Sequence, residues 1–160
     1  MFKKSKCILS GVVAMGMFAL VATGCGNTNS NEIKIGANLE MTGNTATFGQ
    51  SASNGAKLAI KQVNAKGGVL GKQLTLVVAD NKSDTAEAAS AMQKLATQDK
   101  VLASIAPIAS SSVMAAAQVN ESAKILGISP TASNPNVTVD PETGKVREYL
   151  FRATFIDPFQ

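Results

Sequence analysis

The 160-residue chain has no histidine, no tryptophan and only two cysteines. Without an imidazole the chain cannot assemble a Ser-His-Asp triad or a histidine-ligated metal site of its own. Both thiols, Cys7 and Cys25, lie at the N-terminal edge and lack CxxC spacing, which excludes a zinc site or a disulfide framework. No G-x-S-x-G occurs, so the nucleophile elbow of an exported hydrolase is missing as well. An excess of one charge is also lacking where it would matter. Lys and Arg total 15 against 11 Asp and Glu, but three of the cations are Lys3, Lys4 and Lys6, and without them the balance is 12 against 11. That is too even to neutralise a phosphate backbone, which argues against a nucleic-acid partner. The length allows one compact unit.

What is present begins with an address. Met1 to Lys6 is short and basic, and Cys7 to Val21 is an uncharged apolar run. The run falls short of the roughly 20 residues of a membrane-spanning helix, so residues 1–24 are expected to be a cleaved export signal. Val21-Ala22-Thr23-Gly24-Cys25 resembles the bacterial lipobox, in which the cysteine receives a diacylglycerol. Ala22 stands where leucine is commoner. Lipidated Cys25 then tethers the chain to the outer face of a membrane, and each buried methylene adds about 0.8 kcal/mol. Residues 25–32 (CGNTNSNE) offer nothing to bury and are expected to be a flexible leash.

From Ile33 onward, strand and helix patterns alternate. The expected strands are 33–39, 73–79, 101–108, 125–128 and 149–155. Helices are expected over 50–64, from an Asp84 cap onward to Ala96, and over 112–122. Asp84 followed three residues later by Glu87 has the spacing of a capping box. Gly55 inside the first helix costs up to about 1 kcal/mol relative to alanine, which points to a close helix-to-sheet approach there. The alternation implies an α/β fold with a parallel sheet flanked by helices. Gly67 to Lys72 is not a phosphate loop: three residues, not four, separate Gly67 from Gly71, Gln73 replaces the required Ser or Thr, and the stretch precedes a strand. Asp80, at a strand end without an acidic partner, is expected to be solvated or to cap a turn.

In such a sheet, ligands bind beyond the carboxyl ends of the strands, which places the loops after Leu39, Asp80, Ile108 and Ile128 under scrutiny. Two are rich in hydroxyls. Ser110-Ser111-Ser112 opens a helix, where free amides and the helix dipole favour an anion such as a carboxylate. One serine is needed as an N-cap; three exceed that need. Ser129-Pro130-Thr131-Ala132-Ser133-Asn134-Pro135 is stiffened by two prolines and presents hydroxyls, amides and carbonyls that suit a zwitterion. Phe48, one of few aromatics, reads either as a hydrophobic staple onto Ala52 or as the apolar wall of a pocket.

The stretches TFGQSASNGAKLAIKQVNAKGGVLGKQL, the triple serine, ISPTASNP and FRATFIDPFQ together resemble one family, from about Ile33 to Gln160. It is that of the branched-chain amino-acid (Leu/Ile/Val) substrate-binding proteins of bacterial ABC transporters, with the type I periplasmic-binding fold. The resemblance implies that residues 33–160 form the N-terminal lobe of a two-lobed, extracytoplasmic solute receptor. It implies that Ser110 and Ser133 hold the ligand carboxylate, with Ser111 beside them, and that the Ala132 carbonyl meets the ammonium. Phe48 would lie against the aliphatic side chain, where the family often has tryptophan. The implied partners are an aliphatic amino acid and the subunits of a permease. A monomeric body, no cofactor and no catalysed reaction are also implied. The family's second lobe and the returning segment of the first are absent from this sequence, so the chain alone is expected to bind weakly. An amino-acid-sensing ectodomain of the same fold is the alternative, with an exported α/β hydrolase more remote.

Overall fold

A computed structural model describes residues 31–157, so the export signal and Cys25 lie outside the described residues. Five strands form one sheet: β1 (Glu32–Leu39), β2 (Gln73–Asp80), β3 (Ala103–Ile105), β4 (Leu126–Ser129) and β5 (Leu150–Arg152). Their order is β2-β1-β3-β4-β5 and every pairing is parallel. Helices α1 (Ala46–Ala65), α2 (Thr85–Lys94) and α3 (Ser110–Ala123) make the first three crossovers, as the alternation of patterns requires, whereas β4 reaches β5 through a loop holding one short 3-10 turn, Pro135–Val137. Among the described residues no helix is long and apolar enough to cross a membrane.

Element ends differ from expectation where side-chain periodicity carries no information. Helix α1 starts at Ala46 rather than Gln50, so Phe48 stands in its first turn and not in a loop. Strands β3 and β5 are only three residues each, because only that much of each apolar run finds a hydrogen-bonded neighbour. Asp84 does cap α2, accepting from the Glu87 amide at 2.9 Å. The Glu87 carboxylate, however, turns to Lys82 at 3.0 Å rather than back to the cap, so only half of the box forms. Gly67, Gly68 and Gly71 all adopt positive φ in a tight reversal ahead of β2, a turn and not a phosphate loop.

The two sheet faces are treated differently. On one, Met92, Leu95 and Val101 pack with Ala116 and Ile125, and Val113, Ala117, Val137 and Leu150 extend the core under α3. Gly36 admits Leu95 and Val101 there: a Cβ would sit 3.2 Å from each. On the other face α1 covers β1 and β2 only. Beyond it an open apolar groove of about 390 Å³ runs between Ala52 and Ala56 of α1 and Ile105, Ile128 and Pro130. Ile128 is 42% and Phe151 46% exposed on this side. The close helix–sheet approach expected at Gly55 occurs at Gly49 instead. A Cβ at Gly49 would overlap the Glu40 carbonyl, lying 2.6 Å from its carbon, whereas one at Gly55 meets nothing within 4 Å.

Candidate functional site

Parallel pairing brings the loops after β1, β3 and β4 to the same edge of the sheet. Helix α3 begins there without a side-chain cap: the capping position is Ala109, and none of the three serines bonds back to the first turn. The amides of Ser110, Ser111 and Ser112 therefore have no acceptor among the described residues. An uncapped N-terminus with free amides favours an anion.

The loop after β4 is bound to this helix start by three hydroxyls. Buried Ser129 donates to the Pro107 carbonyl at 2.7 Å and accepts from the Ala132 amide at 3.1 Å. Thr131 donates to the Ile108 carbonyl at 2.9 Å. Ser110 Oγ accepts from the Asn134 amide at 3.3 Å, which places Ser110 beside the residue that follows Ser133. The Ser133 amide meets no acceptor among the described residues. Two hydroxyl-bearing bends thus abut, with unpaired amides on both.

Two charged side chains that sequence reading passed over hold these bends. Glu40, fully buried, accepts from the Ile108 amide at 3.0 Å through one oxygen and from the Ala109 amide at 3.1 Å through the other. It fixes the segment that leads into α3. Arg152, at the end of β5, donates from Nη1 to the carbonyls of Ser133 (3.1 Å) and Asn134 (2.9 Å), with Ala132 at 3.5 Å. Its Nη2 donates to the Pro135 carbonyl at 3.1 Å and to Thr138 Oγ1 at 2.6 Å. A signal existed for each: a lone carboxylate directly after a strand, and a lone cation inside the apolar run YLFRATF.

The expected site residues are placed as follows. Ser110 and Ser133 are partly buried on adjoining loops, and Ser111 is exposed at the helix start. Ala132 is buried and its carbonyl lies 3.5 Å from the Arg152 guanidinium, so one side of that oxygen is already faced by a donor. The Thr131 carbonyl, one residue earlier, has no donor among the described residues. Phe48 is 64% exposed, so it is not buried as a staple.

The loop after β2 is structural. Asp80 accepts from the amides of Met41 (3.0 Å), Thr42 (3.1 Å) and Lys82 (2.8 Å) and from the Thr42 hydroxyl at 2.7 Å. Partial burial pushes its carboxyl upward, but the Thr42 hydroxyl and the three amides together outweigh that and hold it below the usual carboxylate range. Asp80 thus caps a turn, as its position suggests, and ties β2 to the loop that leads into α1. Among the described residues no group of three or more Cys, Asp or Glu is placed to hold a metal ion.

Comparison with known proteins shows the family and the fold. The family model described as "Periplasmic binding protein" matches residues 32–156. The leucine-specific-binding protein of Salmonella typhimurium is 33% identical over 160 residues, covering 100% of this chain and 40% of its own. An amino acid binding protein of Pseudomonas aeruginosa is 31% identical over 142 residues, 89% of this chain and 37% of that one. Among solved structures, the branched-chain amino acid transporter substrate binding protein LivJ from Streptococcus pneumoniae, in complex with isoleucine, superposes with a TM-score of 0.73 at 42% identity. The superposition covers 79% of this chain and 34% of LivJ. The leucine binding protein LivK of Thermotoga maritima gives 0.70 at 36% identity, over 80% and 34% of the two chains. The chain therefore spans well under half the length of the relatives it matches. Its all-parallel α/β sheet, its uncapped serine-rich helix start and these matches over nearly all of the described residues make this chain a member of the periplasmic binding protein family, with the type I fold.

Proposed function

We propose that the chain is the first lobe of an extracytoplasmic receptor that binds a branched-chain or other aliphatic amino acid and delivers it to an ABC-transporter permease. The observation that carries the reading is the 3.3 Å contact from the Asn134 amide to Ser110 Oγ, which sets the two hydroxyl loops side by side. A carboxylate between them would accept from the hydroxyls of Ser110 and Ser133, the Ser133 amide and the first amides of α3, with Ser111 at the rim. Charge-assisted bonds of this kind are about twice as strong as neutral ones. The ammonium would go to carbonyls of the same loop. The Ala132 oxygen can offer only its second lone pair, because Arg152 faces it. The Thr131 oxygen is the freer acceptor, and an acidic group of a second lobe would complete the contact. Exposed Phe48 would meet the aliphatic side chain at the mouth. Closure of a second lobe over the ligand is a population shift between open and closed states, and the closed state is the one a permease would recognise. Lipid on Cys25 would keep the receptor near that permease. The binding groups are hydrogen-bond donors and acceptors with no nucleophile–base pair among them, so binding without chemistry is the proposed role.

Thermal-shift screening of the full-length protein against the amino acids tests the reading. Leucine, isoleucine or valine should raise the midpoint, and Ser110→Ala and Ser133→Ala should each abolish or strongly reduce the rise. If both variants respond like the wild type, the site is misplaced. If no aliphatic amino acid shifts the wild type, the function is wrong.

A further inference from the structure

We propose that Arg152 is a positioning residue for ligand binding: its guanidinium collects the carbonyls of the loop after β4 and thereby turns the loop's amides toward the ligand carboxylate. The inference rests on the function proposed above and adds a residue to it.

The argument starts from charge. Arg152 is always protonated, and no acidic side chain pairs with it among the described residues. Its partners are instead the carbonyls of Ala132, Ser133, Asn134 and Pro135 and the Thr138 hydroxyl. A partly buried cation without a counter-charge is costly unless dipoles surround it, so the loop must present its oxygens on this side. Each carbonyl shares a planar trans peptide with the amide of the next residue, and the two point in opposite directions. Drawing the Ala132 oxygen toward Arg152 therefore sends the Ser133 amide away from it. Drawing in the Ser133 oxygen sends the Asn134 amide away too, and that amide is found on Ser110 Oγ at 3.3 Å. Ser133 is left with an amide that has no acceptor among the described residues, turned away from the guanidinium and one residue before the amide that reaches Ser110. The planar fork is essential to this arrangement, since a lysine ammonium is a point charge and cannot span acceptors from Ser133 to Thr138 at once.

The test uses the mature full-length protein and two probes. Leucine carries both charges, whereas leucinamide keeps the ammonium and lacks the carboxylate. Wild type, Arg152→Lys and Thr138→Val are titrated with each. Thr138→Val removes one acceptor of the guanidinium and serves as the milder variant should Arg152→Lys not fold. Arg152→Lys should weaken leucine binding by about ten-fold or more, leave leucinamide within about two-fold, and so collapse the preference between them. Thr138→Val should move the preference in the same direction by a smaller factor. A role confined to stability would lower the competent fraction and weaken both probes by the same factor, leaving the preference unchanged. Amide exchange without ligand supplies a second readout: Asn136 and Val137 should exchange faster in both variants.

An unchanged preference with normal leucine binding by the wild type overturns the inference and leaves the receptor reading intact. Unchanged exchange in both variants overturns it as well. A wild type that binds neither probe overturns the receptor reading, and the role of Arg152 with it.

Discussion

Glycine-to-alanine substitution at two positions of α1 should move stability in opposite directions. Both Gly49 and Gly55 lie within Ala46–Ala65, and helix propensity alone favours alanine at each by about 1 kcal/mol. At Gly55 nothing lies within 4 Å of the added Cβ, so Gly55→Ala should stabilise by about 0.5–1 kcal/mol. At Gly49 the same Cβ would overlap the Glu40 carbonyl, at 2.6 Å from its carbon and 2.9 Å from the Glu40 nitrogen. Ordinary carbon contacts sit at about 3.5–4.0 Å, so the helix would have to retreat on the order of 1 Å. Overpacking of this kind costs about 1–3 kcal/mol, which exceeds the propensity gain and leaves Gly49→Ala less stable by about 1–2 kcal/mol. Urea denaturation of the chain from Ile33 onward is the assay. With a slope of about 1–3 kcal/mol per molar, the two midpoints should separate by on the order of 1 M, with wild type between them. Equal stabilisation at both sites would refute the packing argument at Gly49. A loss at Gly55 would refute the claim that the space above it is open.

Other outcomes follow from the charged residues at the sheet edge. Asp80→Asn should cost about 1–2 kcal/mol at pH 7, since it removes charge-assisted acceptance from three amides and a hydroxyl. Because the folded-state pKa of Asp80 is depressed, its stabilisation is fully present above the unfolded value near pH 4 and is lost as pH falls through the lower folded value. The gap between wild type and variant should therefore shrink below about pH 4, and a gap independent of pH would contradict the assignment. Glu40→Gln replaces one acceptor with a donor facing a partly buried amide and should cost about 1–3 kcal/mol in the same urea assay. An unchanged midpoint would mean that Glu40 does not hold the segment leading into α3.

The triple serine and the Pro-stiffened loop were legible as neighbours, because a parallel sheet sends such loops to one edge. Phe48 illustrates the opposite. Its scarcity drew attention to it, yet only the coordinates show it in the first turn of α1 and mostly exposed. The Gly55 expectation failed for a related reason: helical periodicity says which face a residue is on, but not how far that face is from the sheet.

Local chemistry along the chain was enough to establish the succession of strands and helices, the Asp84 cap and the turn at Gly67 to Lys72, because each depends on neighbours within a few residues, and the parallel α/β class follows from the alternation of those elements. Tertiary structure alone decided which far-apart groups meet. Glu40 reaches amides 68 and 69 residues away, and Arg152 reaches back 14 to 20 residues to a loop on another strand. No periodicity encodes such pairings, since they arise from the lateral order of strands and from the need of each buried charge to find dipoles or donors once water is gone.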